Sequence, residues 1–133
     1  MSKIRIDTPR TAEPRQGAAE RKIATLSAII NRFQSDFGLT QPMVVRLSGY
    51  SPRSVASWCK GVIATQPARR KFTELYRLLS ALNGLMVDPS EMKAWLQEPN
   101  GAFEGSTPLQ VVERGESDRI WKMIYTLESG DPG

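Results

Sequence analysis

Side chains capable of acid, base or metal chemistry are few in this sequence. It contains one cysteine, Cys59, and no histidine among its 133 residues. A lone cysteine excludes an internal disulfide, and without histidine neither a typical zinc site nor a histidine-based acid/base pair can be built. Carboxylate or lysine chemistry remains open in principle, but no spacing marks out a catalytic constellation. We therefore predict a protein that is not an enzyme and that needs no cofactor or metal.

The charged residues are unevenly distributed along the chain. The net charge of +4 says little by itself, because many proteins are mildly basic. Residues 39–71 carry six basic residues and no acidic one, whereas residues 88–133 carry nine acidic and four basic residues. The first segment suits a polyanion and the second suits a basic protein partner. The alternative is two faces that are merely solvated differently.

The stretch from residue 39 to residue 61 carries start and stop signals for two short helices joined by a tight turn. Thr40 can cap the first helix, and Gly49 can take the positive φ that such a turn often needs. Ser51 and Pro52 can then cap and open the second helix. This arrangement predicts a helix-turn-helix, whose second helix enters the major groove of DNA.

The second helix of this motif divides into an inner and an outer side. Val55 and Trp58 lie three residues apart and should face inward, while Tyr50 and Cys59 should pack beside them. Arg53 is the candidate for base recognition because arginine can donate two hydrogen bonds to guanine. The other candidates for contacts to bases or phosphates are Gln41, Arg46, Ser54, Ser57, Lys60, Arg69, Arg70 and Lys71. The alternative is a helical hairpin whose basic side is only solvated.

Apolar residues recur every three or four positions in most of the remaining chain. This spacing predicts helices, and the alternating runs typical of strands are absent, so we predict an all-α helical bundle. One helix should run from about Ala18 to a stop at Gly38, and another from Gln66 to Asn83. Residues 1–17 lack such periodicity and are predicted to form a flexible basic arm.

Three further start signals lie in the C-terminal half. Residues 88–91 have the pattern of a capping box that opens a helix, and Thr107 with Pro108 should open a short one. Ser117 can cap the last helix. The apolar face of this last helix is predicted to consist of Ile120, Trp121, Ile124 and Leu127.

The C-terminal half resembles the toxin-binding domain shared by Xre, MbcA and ParS antitoxins. The likeness rests on a tryptophan-leucine helix, an asparagine-containing loop, a Gly-x-Thr-Pro-Leu motif, a glycine and a final helix ending in glycine. The residues that carry it are Trp95, Leu96, Asn100, Gly105, Thr107, Pro108, Leu109, Gly115 and Gly130. Phe103 stands where many relatives carry leucine. The segment 39–61 likewise resembles the helix-turn-helix of Xre/Cro-like repressors.

This resemblance implies an antitoxin of a type II toxin–antitoxin system. Its cognate toxin would commonly be of the RES type, which consumes NAD, so that the NAD chemistry would belong to the partner. The antitoxin would also repress its own operon, and a homodimer on paired half-sites of operator DNA is expected. Residues 18–85 would then be the DNA-binding domain and residues 86–133 the toxin-binding domain.

The candidate toxin-binding residues are Trp95, Asn100, Phe103, Trp121, Tyr125 and Glu128. The four aromatic residues among them suit either the core or an interface, and the core is the favoured place. The alternative function is a stand-alone regulator whose C-terminal half serves dimerisation or another protein partner. No apolar run approaches the roughly 18 residues needed to span a membrane, and no secretory signal is evident, so we expect a cytoplasmic protein.

Overall fold

The computed structural model describes residues 26–130, and within that range the chain forms seven α-helices and no strand. This confirms the predicted all-α fold. Two short 3₁₀ helices, Pro89–Glu91 and Gly101–Phe103, precede the fifth and sixth helices. The predicted arm and the start of the first helix lie outside the described residues. The helices are α1 (described from 26 to 37), α2 (Gln41–Ser48), α3 (Pro52–Cys59), α4 (Gln66–Asn83), α5 (Met92–Gln97), α6 (Pro108–Glu113) and α7 (Ser117–Ser129).

The helices α2 and α3 begin and end at the residues that the sequence indicated. The Thr40 hydroxyl accepts a hydrogen bond from the Met43 N–H at 3.4 Å, and the Ser51 hydroxyl accepts one from the Ser54 N–H at 3.1 Å. Each bond satisfies an N–H that the first turn of a helix leaves without a partner. Gly49 ends α2 with a φ of 78°, a left-handed conformation that glycine adopts without strain. The tight turn between α2 and α3 therefore follows from local residue types.

An aromatic cluster fixes the N-terminal helices against one another. The ring centres of Phe33 on α1 and Phe72 on α4 lie 6.0 Å apart, and Trp58 on α3 reaches Phe72 at 5.9 Å. Tyr50 meets Trp58 edge-on at 5.0 Å. Trp58 is buried as predicted, while Tyr50 and Cys59 are half-buried against the same core. This cluster immobilises α3, because its inner side is locked between α1 and α4.

The C-terminal helices pack on the N-terminal ones and share a hydrophobic core with them. Helix α6 contacts α2 in the N-terminal half and α5 and α7 in the C-terminal half, and α4 also contacts α7. Pro108, Leu109, Val111 and Val112 of α6 are all buried. The two halves of the chain are therefore joined by packing through α6 as well as by the connecting segment.

A compact loop leads into α6. The Asn100 side-chain oxygen accepts from the Ala102 N–H at 2.9 Å, which directs Phe103 into the core. Thr107 then forms a reciprocal capping box with Gln110, with bonds of 3.0 and 2.9 Å. The prediction that Thr107 opens a short helix is confirmed.

Two predicted helix starts differ from the structure in detail. Asp88 caps the 3₁₀ helix Pro89–Glu91, because its carboxylate accepts from the N–H and hydroxyl of Ser90 at 3.0 and 2.8 Å. Among the described residues, the reciprocal bond to the Glu91 side chain that a capping box requires is not formed. Ser117 is the first residue of α7 rather than its cap. The Glu116 N–H closes the end of α6 by donating to the Val111 carbonyl at 3.0 Å, so α7 begins immediately after it.

The predicted apolar face of α7 is only partly in the core. Ile120 and Ile124 are buried, and Trp121 is half-buried, but Leu127 is 58% exposed. Helix α6 has six residues and α7 has 13, which corresponds to lengths of about 9 and 20 Å. The shorter helix cannot cover the longer one, and the last turns of α7 are left in solvent. Within residues 26–130, no helix combines the length and apolar character that crossing a membrane requires.

Candidate functional site

A basic surface lies on α3 and the first turns of α4. We define it by Arg53, Lys60, Arg69, Arg70 and Lys71, and its members Arg53, Lys60 and Arg70 are exposed. In the described part of the chain, none of these three has an acidic partner within salt-bridge distance. Their charges are therefore available to a polyanion.

The outer side of α3 presents the residue types predicted for it. Arg53 lies in the first turn, and Ser54 and Ser57 are half-buried beside it. The Ser54 side-chain oxygen accepts from the Ser51 hydroxyl at 3.1 Å. On the inner side, the Ser27 hydroxyl donates to the Cys59 carbonyl at 3.0 Å and ties the end of α3 to α1. The structure thus holds a short helix by its apolar side and leaves its polar side outward.

Three predicted contact residues are less available than the sequence indicated. Gln41 is half-buried as the first residue of α2. The Arg69 guanidinium donates to the carbonyl of Ala64, which ties it to the loop before α4. Arg46 points toward α6, where its Nε and Nη2 donate to the two carboxylate oxygens of Glu113 at 2.8 and 2.9 Å.

The Arg46–Glu113 pair bridges two residues that are 67 positions apart in the chain. The hydrogen bonds from Arg46 lower the pKa of the Glu113 carboxyl, and those same bonds raise the pKa of Arg46. Both groups therefore stay ionised at neutral pH. Both side chains are partly exposed, at 49% and 32%, so the pair lies at the surface rather than in the core.

The arginines of the C-terminal half are also paired. Arg119 donates to Glu104 at 2.7 Å and to Glu116 at 3.2 Å, and Arg114 lies 3.4 Å from Glu116. The hydrogen bonds that Arg119 donates to Glu104 and Glu116 raise its pKa. Arg53 and Arg70 of the basic surface therefore differ from the arginines around α6 and α7, which are bound to carboxylates.

A second surface, partly apolar, runs along the outer side of α7. We define this α7 surface by Trp121, Tyr125 and Glu128, whose spacing places them on one face of the helix. The rings of Trp121 and Tyr125 are stacked with their centres 5.9 Å apart, and Tyr125 is 62% exposed. Leu127 lies on another side of α7, where it lines a cavity of about 390 Å³. Aromatic side chains such as Trp121 and Tyr125 are enriched in protein–protein contacts.

The other predicted toxin-binding residues are buried or held in local structure. Phe103 is only 2% exposed, so it is a core residue, and it lines the cavity beside Leu127 rather than the α7 surface. Asn100 uses its side chain to hold the loop, and Trp95 is half-buried on α5. Sequence reasoning missed the exposure of Leu127. The mismatch in length between α6 and α7 was the signal that could have revealed it.

Comparison with known proteins gives consistent matches in sequence and in structure. The sequence is 30% identical over 108 residues to the mycobacterial cidal antitoxin MbcA of Mycobacterium bovis and of Mycobacterium tuberculosis, covering 80% of this chain and 91% of MbcA. The fold matches a chain of the crystal structure of the M. tuberculosis MbcT–MbcA toxin–antitoxin complex with a TM-score of 0.65 and 27% identity. That match covers 80% of this chain and 96% of the other. No protein-family model matches the sequence.

Proposed function

Because the chain belongs to the MbcA family of antitoxins, we propose that it is the antitoxin of a type II toxin–antitoxin system and neutralises a cognate toxin by binding it directly. The observation that carries this proposal is the likeness to MbcA, which extends over nearly the whole length of that protein. The toxin is expected to be of the RES type, as the resemblance to Xre/MbcA/ParS antitoxins implies. Any NAD chemistry then belongs to the toxin, and this chain acts by binding.

We propose that the toxin binds at the α7 surface, within the C-terminal half, residues 86–133. Tyr125 offers an exposed aromatic ring stacked on Trp121, and Glu128 adds a negative charge on the same face. Aromatic side chains at the centre of an interface commonly carry much of its binding energy. Phe103 and Asn100 fix the loop before α6, and Trp95 is half-buried on α5, so these three would contribute less than Tyr125.

The test is capture of the partner by the tagged full-length chain in its native host. Tyr125→Arg places a charge at the centre of the α7 surface and should abolish capture of a toxin. Val87→Arg is the matched control, because Val87 is fully exposed outside this surface. The captured protein, expressed alone, should arrest growth, and co-expression of the wild-type chain should relieve the arrest. Absence of any such partner, with DNA binding retained, would favour a stand-alone regulator instead.

We further propose that residues 18–85 bind operator DNA through α2 and α3, as an Xre-like helix-turn-helix, and repress the operon. The support is the basic surface, with Arg53 in the first turn of α3 and Lys60 and Arg70 free of acidic partners in the described range. Arg53 would contact bases, and the other basic residues would contact phosphates. A homodimer is expected, since one short helix reads few base pairs and two-fold symmetry duplicates the contacts.

A further inference from the structure

The ion pair between α2 and α6 involves an arginine on the helix that precedes the proposed recognition helix. In helix-turn-helix proteins the first helix of the motif crosses the DNA backbone, where a basic side chain meets phosphate. Arg46 occupies the last turn of that helix, but its Nε and Nη2 are bonded to Glu113 at 2.8 and 2.9 Å. The carboxylate comes from α6, in the C-terminal half.

We propose that Glu113 withholds Arg46 from DNA, so that the C-terminal half limits the DNA affinity of the N-terminal half. This inference rests on the proposed DNA-binding function and concerns its regulation. Glu113 acts as a positioning residue, because it affects the nucleic acid through the side chain of Arg46.

Charge balance and geometry support this role. The pair is electrically neutral, so Arg46 adds nothing to the net charge that draws a polyanion to the basic surface. A phosphate that approached Arg46 would also meet the Glu113 carboxylate and be repelled by it. Arg53, Lys60 and Arg70 face no such competitor in the described part of the chain. The half-exposed guanidinium of Arg46 would become accessible once the carboxylate lost its charge.

The experiment is a double-mutant cycle on DNA binding by the full-length chain. Glu113→Gln, Arg46→Gln and the double variant are compared with wild type by fluorescence anisotropy, on a labelled duplex of mixed sequence over a range of salt concentrations. Glu98→Gln is the matched control, because it removes one exposed acid of the same half that has no partner among the described residues. Thermal melting by circular dichroism verifies that each variant is folded.

We expect Glu113→Gln to tighten binding roughly five- to tenfold at about 0.1 M salt and to steepen the salt slope by about 0.9, as one added phosphate contact does. The double variant should return to the wild-type slope, and Arg46→Gln should leave that slope unchanged. Glu98→Gln should match wild type.

Two results would overturn the inference while leaving DNA binding intact. An unchanged slope in Glu113→Gln would show that Arg46 gains no phosphate contact when it is released. A shallower slope in Arg46→Gln would show that Arg46 already contacts phosphate in the wild type. If the wild type and every variant failed to bind the duplex at all, the proposed DNA-binding function would fall together with this inference.

Discussion

Arg53 is the residue on which sequence-specific recognition should depend. It is exposed in the first turn of α3 and has no acidic partner among the described residues. An arginine that donates two bonds to guanine discriminates against the wrong base by about 1–3 kcal/mol. Arg53→Ala should therefore flatten the preference at one base position when binding is measured on a library of randomised duplexes. Lys93→Ala, which removes an exposed cation from the C-terminal half, should keep the preference.

Lys60 should contribute affinity without sequence information. It lies exposed at the end of α3, and a lysine there suits phosphate rather than a base edge. Lys60→Ala should weaken binding to all duplexes alike and reduce the salt slope by about 0.9. Titrations at several salt concentrations measure this. A variant that lost affinity for one sequence only would show that Lys60 reads bases.

The predictability of individual residues depended on how local their interactions are. Thr40, Gly49 and Ser51 took their predicted roles because a cap or a turn is decided within three or four residues. Arg46 was predicted to face phosphate, but it is paired with a residue 67 positions away. Spacing along the chain carries no information about such a contact.

At the scale of elements, the position of α3 depends on its buried tryptophan. Trp58 contacts Tyr50 and Phe72 and is 9% exposed, so truncation would leave a cavity between α3 and α4. Trp58→Ala should lower the free energy of unfolding by about 3–5 kcal/mol, measured by urea denaturation. Tyr125→Ala, an aromatic truncation at an exposed site, should change it by less than about 0.5 kcal/mol. Equal losses would mean that α3 is not anchored by this core.

The contact between α2 and α6 should stabilise the fold in a pH-dependent way. The pKa of Glu113 is lowered from its usual value of 4.5 by Arg46, so the contribution of the pair is present above that value and is lost as the pH falls through the lower folded value. Since both side chains are partly exposed, the free energy of unfolding should fall by less than about 1 kcal/mol in Glu113→Gln at neutral pH. In acid, wild type and variant should unfold alike. A difference that persisted in acid would contradict an ionic origin.

The helices themselves were easier to predict than their ends. Apolar spacing located the helix α4, which begins at Gln66 and ends at Asn83 as predicted. Ser117 is the first residue of α7 rather than its cap, because the Glu116 N–H closes the end of α6, and a 3₁₀ turn that the sequence did not predict separates Asp88 from α5. The last turns of α7 are exposed because the neighbouring helix α6 is shorter. Apolar periodicity within α7 gives no information about the length of α6.

At the scale of the whole molecule, the two halves share a core. Helix α6 contacts both α2 and α7. The boundary between residues 18–85 and 86–133 therefore separates the proposed functions but does not separate the hydrophobic core. The sequence predicted the all-α class, and the charge asymmetry between the halves is visible in the sequence itself. It did not predict how the halves pack together, because that arrangement depends on contacts between residues far apart in the chain.

We propose that one chain binds DNA with its basic surface and a toxin with its α7 surface. Two tagged variants, Arg53→Ala/Arg70→Ala and Tyr125→Arg, test this proposal. A single preparation of each is assayed both for capture of the host partner and for binding to the DNA upstream of the operon. We predict that the first variant keeps the partner and loses DNA, and that the second keeps DNA and loses the partner. Retention of the partner by Tyr125→Arg, or loss of both activities together in either folded variant, would contradict the account.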